Sequence, residues 1–86
     1  MQKYNVQFKA SAAKEFRKLP PYIKARIRKA INALKTDSRP PGVKKLTGEI
    51  NLYRIRVGDF RVIYEIDEEA KILFVTRIRH RRDVYQ

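Results

Sequence analysis

Apolar and polar positions along this chain change period several times, and each change marks an element. From Lys3 to Lys9, Tyr4, Val6 and Phe8 alternate with Asn5, Gln7 and Lys9, the period of a half-buried strand. Ala12, Phe16 and Leu19 then recur at helical spacing, with Ser11 placed to cap a helix that Pro20-Pro21 ends. Pro21 can open a second helix, because the first turn has no use for its missing N–H. Along that helix Ile23, Ile27, Ile31 and Leu34 form one stripe beside Ala30, and Lys24, Arg26, Arg28, Lys29 and Lys35 cover the rest. The stripe reads as the helix's seat on a sheet. Turn formers fill Asp37 to Gly42, and Val43 to Asn51 contains a turn at Thr47-Gly48-Glu49.

Period two returns in the stretch from Leu52 to Tyr64, LYRIRVGDFRVIY. A two-residue loop with glycine first suits the turns that match sheet twist, so Gly58-Asp59 predicts a hairpin. Tyr53, Ile55 and Val57 then share one face and Arg54 and Arg56 the other. With Val57 opposite Phe60, Arg56 falls opposite Arg61 and Arg54 opposite Ile63. The second strand runs on to Ile66, and Asp67-Glu68-Glu69 reverses the chain. In the last strand, Lys71 to Ile78, the run Ile72-Leu73-Phe74-Val75 is apolar on both faces, which places it inside the sheet. The expected fold is α+β: an N-terminal strand, then a two-helix hairpin packed on one face of a small, mainly antiparallel sheet of about four strands, in one domain over residues 1–86. The pattern leaves open the partner of the first strand and the register of the last.

Charge sharpens this picture. Against 9 acidic residues stand 21 basic ones, a formal net charge of +12 on 86 residues. Such an excess repels itself in the compact state and attracts polyanions, so nucleic acid or an acidic protein is the expected partner. Nothing in the chain is apolar over the length of a bilayer, and the amino terminus lacks the core of a secretion signal, so a cytoplasmic location is expected. The chain has no cysteine and one histidine, His80, which argues against disulfides and against thiolate or histidine metal sites; no cofactor is expected.

The hairpin carries the chemistry. Like charges opposed across strands cost folding free energy unless something relieves them, and guanidinium forks match phosphate oxygens in pairs. No glycine-rich phosphate loop, cysteine nucleophile or carboxylate cluster competes for attention. RNA cleavage by its own 2′-hydroxyl needs a base at that hydroxyl, positive charge on the phosphorane and an acid at the departing 5′-oxygen. Arg54, Arg56 and Arg61 suit the middle task. Arginine is a poor base, so Tyr85, His80, Lys45 and Glu49 are the groups available for proton transfer. Arg77, Arg79 and Arg81 alternate and would share a face, with His80 pointing away from Arg81; Arg82 extends the basic run.

The segments FKASAAKEFRKLP, LYRIRVGDFRVIYEID and ILFVTRIRHRRDVY together resemble the RelE/ParE superfamily of toxins from toxin–antitoxin pairs, over nearly the whole chain. The resemblance is closer to the RelE branch, and implies a metal-independent endoribonuclease that cuts messenger RNA in the ribosomal A site, leaving a 2′,3′-cyclic phosphate. The ParE branch, which inhibits DNA gyrase, is the alternative it carries, and a non-enzymatic RNA-binding protein is the alternative the charge alone supports. Carried over by position, the resemblance implies catalytic roles for Arg54 and Arg56, where relatives often have lysine, for Arg61 at the transition state, for Arg81 at the phosphate or leaving group, and for Tyr85 in stacking or proton transfer. His80 stands where some relatives have a catalytic histidine. Lys44, Lys45, Arg77, Arg79 and Arg82 are the expected further RNA contacts. The implied partners are an acidic antitoxin that wraps the toxin, the ribosome with its messenger, and operator DNA only through the antitoxin complex.

Overall fold

A computed structural model describes residues 3–46 and 51–84. The elements follow in the order β1 (Asn5–Phe8), α1 (Ala10–Arg17), α2 (Pro21–Leu34), β2 (Lys44–Lys45), β3 (Leu52–Val57), β4 (Phe60–Asp67), β5 (Ile72–His80) and α3 (Arg81–Val84). One five-stranded sheet has the order β1-β5-β4-β3-β2. Its internal pairs are antiparallel, and β1 lies parallel to β5 at the edge. The apolar strand β5 is thus internal, as its two-sided pattern requires.

The hairpin forms in the predicted register, with Val57 opposite Phe60, Arg56 opposite Arg61 and Arg54 opposite Ile63. Gly58 has φ +59°, the left-handed value that a glycine-first tight turn demands. Two short elements escape the pattern. Lys44–Lys45 pairs with β3, giving a fifth strand too short to show alternation. Arg81–Val84 turns into a helix where a strand-like alternation was expected to continue.

The helices pack on one sheet face. Ala12 of α1 and Ile27, Ile31 and Leu34 of α2 close over Tyr53, Ile55, Val62, Tyr64, Ile66, Leu73, Val75 and Ile78, with Phe16, Leu19 and Ile23 packed at the margin. Tyr64 is fully buried and donates its hydroxyl to the Ser38 carbonyl at 2.6 Å. Burial pushes its pKa well above the usual tyrosine range, so this hydroxyl remains a donor. The predicted cap at Ser11 is corrected: α1 begins two residues earlier than that cap implies, with Lys9 in the cap position, and the Ser11 hydroxyl donates instead to the Thr76 carbonyl at 3.0 Å.

Alternation in β5 breaks once. Tyr64 faces Val75, but the preceding Ile63 faces Arg77, so Thr76 is an extra residue, a β-bulge. Leu73 and Val75 point into the core; without the bulge the same parity would carry Arg77 and Arg79 in after them. The bulge reverses the parity, so Ile78 is buried and the arginines come to the open face.

Candidate nucleic-acid interface

Cross-strand register lines the basic residues into two rows on the sheet face away from the helices. One runs Lys44, Arg54, Ile63, Arg77 across β2, β3, β4 and β5; the next runs Arg56, Arg61, Arg79 across β3, β4 and β5. Arg56 and Arg79 flank Arg61 directly, one strand spacing of about 4.8 Å to either side. The whole row falls within about one Debye length at ordinary ionic strength, so salt screens its self-repulsion only in part. Beyond the rows, Leu52, Glu65 and Phe74 stand opposite one another in register, which brings the Glu65 carboxylate onto this face, with Asp67 two residues further along β4.

Arg61 is the most telling of these side chains. It is 6% exposed, among the least accessible charged groups in the described chain, yet among the described residues its only side-chain hydrogen bond is a long one, 3.5 Å, to the Phe60 carbonyl. A buried guanidinium without a carboxylate, flanked by two more, is an unfavourable arrangement for folding. It is a favourable one for an anion with several oxygens. Along one flank, the apolar floor of Ala30, Leu34, Pro40 and Ile55 and the basic rim of Lys44, Arg54 and Arg56 enclose a groove of about 440 Å³.

Other predicted site residues lie elsewhere. Arg77 belongs to a row by register, but its guanidinium pairs with Glu15 at 3.3 Å. Arg81 opens α3 rather than continuing the strand; its N–H donates to the Asp59 carbonyl at 2.7 Å, and its guanidinium stands 3.9 Å from the Asp59 carboxylate, at the tip of the hairpin. The expectation that Arg77, Arg79 and Arg81 share a face therefore holds for the first two only. His80 faces Phe60 in register and packs edge-on against its ring, on the opposite side of the sheet from the rows. Its Nδ1 accepts from the Arg82 N–H at 3.2 Å. Lys45 faces Tyr53 in register and so lies off the rows. Tyr85 and Glu49 lie outside the described residues.

Sequence reasoning passed over Glu15, Thr76 and Glu65. The parity break between Val75 and Ile78 was the available signal for Thr76, and the spacing of Ser11 and Glu15 on one helical face was the signal for Glu15.

Residues 6–85 match the family of ParE toxins of type II toxin–antitoxin systems. The chain belongs to the RelE/ParE toxin superfamily. Within it the chain falls on the RelE-like side. It is 33% identical to toxin RelG of Mycobacterium tuberculosis, covering 96% of this chain and 97% of that protein. It is also 33% identical to toxin RelE3 of Methanocaldococcus jannaschii, covering 93% of each. Among solved structures, the RelE–RelB complex from Pyrococcus horikoshii superposes with a TM-score of 0.82 at 29% identity, over 93% of this chain and 97% of that one. The α+β fold of this RelE-like toxin, with two helices over a mostly antiparallel sheet, is that of its structural relatives. No helix among its described residues is long and apolar enough to cross a membrane.

Proposed function

We propose that this RelE-like toxin is an endoribonuclease that cuts messenger RNA in the ribosomal A site. The observation that supports it most is Arg61, buried to 6% exposure without a carboxylate partner among the described residues, and flanked in register by Arg56 and Arg79. A phosphorane formed by 2′-hydroxyl attack carries its added negative charge on oxygens that this row can hold in pairs. The oxygen–phosphorus bond to the 2′-hydroxyl forms as the bond to the 5′-oxygen breaks, leaving a 2′,3′-cyclic phosphate. Arg54 extends the positive field along the messenger, and Arg81 at the hairpin tip is in reach of the strand as it leaves the sheet. Glu65, and beyond it Asp67, are the β4 carboxylates on this face, Glu65 being the nearer to the rows, and Tyr85 is the further proton-transfer candidate implied by family position. A site this poor in titrating groups depends on the ribosome to bend the messenger for in-line attack.

The partner is a cognate antitoxin, as in the RelE–RelB complex that the chain superposes on. The apolar groove with its basic rim suits an acidic amphipathic segment, which would neutralise Arg54 and Arg56 and close the rows to RNA.

The test is purified toxin added to 70S ribosomes holding a defined messenger with an empty A site. Primer extension should show a new 3′ end inside the A-site codon that is absent without ribosomes. Intact messenger, together with inhibited supercoiling by gyrase, would move the chain's activity to the ParE side.

A further inference from the structure

The open face depends on a distortion of β5, and the distortion is held from outside the sheet. β1 covers the edge of β5 only from Ile72 to Val75. Beyond that point the polypeptide leaves the sheet and becomes α1, so on the side away from β4 the rest of β5 has no strand among the described residues. Three groups along this edge find partners nonetheless. The Lys9 N–H donates to the Val75 carbonyl at 2.9 Å, the Ser11 hydroxyl to the Thr76 carbonyl at 3.0 Å, and the Ile78 N–H to Glu15 Oε1 at 2.8 Å. Ser11 and Glu15 are one helical turn apart on α1 and therefore on one face of it. Two side chains thus replace the missing strand, and they do so at the bulged residue and two residues after it.

From the sheet side, Thr76 Oγ1 donates to the Ile63 carbonyl at 3.1 Å, filling the gap that the bulge opens in the β4–β5 ladder. The second oxygen of Glu15 pairs with Arg77 Nη2 at 3.3 Å. Arg77 Nε is buried without a hydrogen-bond partner among the described residues, so its head group is held at the edge by Glu15 rather than by a full set of bonds. Of the two arginines that the bulge turns outward, Arg77 is neutralised and Arg79 is left beside Arg61.

We propose that Ser11 and Glu15 form a clip that maintains the Thr76 bulge and so places Arg79 beside Arg61, which makes Glu15 a positioning residue of the site. The inference rests on the reading of the arginine rows as a phosphate site. The clip acts through backbone acceptors and donors, so it needs an oxygen at position 15 more than it needs a charge. Glu15→Gln retains Oε1 as an acceptor for the Ile78 N–H; Glu15→Ala does not.

The experiment combines single-turnover cleavage on programmed 70S ribosomes with phosphate titration of the free, ¹⁵N-labelled toxin. Glu15→Ala should lower the saturating single-turnover rate by about 100-fold, the scale of a misplaced group, with the toxin concentration for half-saturation of the ribosome complex nearly unchanged. Glu15→Gln should restore most of that rate. In an Arg79→Ala background Glu15→Ala should change the rate by less than about twofold, because both substitutions remove the same contact. Multiplying effects, or a Glu15→Gln variant as slow as Glu15→Ala, would overturn the clip. In the titration, inorganic phosphate should shift the Arg61 and Arg79 Nε–H signals together in the unsubstituted toxin, and Arg61 alone in Glu15→Ala. Should the unsubstituted toxin fail to cut messenger at all, the nuclease reading falls and the titration decides the clip. Arg79 responding normally in Glu15→Ala would overturn it.

Discussion

Arg61 holds a position that folding alone would not select. Replacing it with an apolar residue of comparable volume removes a crowded, poorly partnered charge, and like-charge pairs across strands cost about 0.2–1 kcal/mol each. Arg61→Leu is therefore expected to melt higher than the unsubstituted toxin, by several degrees at about 4–8 °C per kcal/mol for a chain of this size. Calorimetry checks it, and a lower melting point would make Arg61 a structural residue. Glu68 behaves in the opposite way. It accepts from the Tyr4 hydroxyl, from Arg39 at 2.8 Å and from Lys71 at 3.4 Å, and these contacts, Tyr4 foremost, lower its pKa from 4.5 to about 2. A carboxylate depressed in the folded state stabilises it fully above the unfolded value and loses that contribution as pH falls through the folded one. Stability should decline between about pH 4.5 and 2, and Glu68→Gln should flatten that part of the profile; an unchanged slope would show that the Glu68 contacts do not couple to folding.

At the scale of elements, the hairpin was legible because two local constraints agree. Gly58-Asp59 sets the loop length and the alternation from Tyr53 to Val57 sets the faces, so the opposition of Arg56 and Arg61 follows without tertiary information. The dependence on Gly58 is testable: at φ +59° a Cβ is strained, and an added methyl would also lie 3.2 Å from Arg26 Nη1. Gly58→Ala should cost about 1–2 kcal/mol in chemical denaturation, and Gly58→Asn less, since asparagine tolerates the left-handed region. The bulge at Thr76 left one local trace, the parity reversal between Val75 and Ile78, but a reversal by itself looks like alternation on the wrong face and does not identify the extra residue. Its stabilisers, Ser11 and Glu15, come from 60-odd residues away in sequence, as the bonds to Thr76 and Ile78 show. Ser11 was read as a cap for the same reason: local sequence sees a hydroxyl before a helix, not a carbonyl on a strand edge. The partner of β1 is likewise a tertiary fact, since parallel pairing leaves no turn to mark it.

For the whole molecule, the excess of positive charge and its arrangement say different things. A net charge of +12 predicts attraction to any polyanion, but only the rows predict a site that discriminates a phosphate from bulk salt. Phosphate should raise the melting temperature beyond what chloride does at equal ionic strength, reaching about 1.4 kcal/mol at ten times its dissociation constant. Arg61→Leu should abolish that difference. For a short single-stranded RNA, each row arginine that binds a phosphate contributes about 0.7 to the slope of log affinity against log salt, so Arg56→Ala should reduce the slope by about that amount. An unchanged slope would place RNA elsewhere on this basic surface.

The most direct measurement is single-turnover cleavage of an A-site codon on 70S ribosomes by Arg61→Leu, beside the unsubstituted toxin and after its melting temperature has been recorded. The account predicts a variant at least as stable as its parent and slower by about 100- to 1,000-fold, the loss expected when one donor to a developing oxyanion is removed. A stable Arg61→Leu that cuts messenger at the parental rate would contradict it, and would leave the arginine rows without a part in the chemistry.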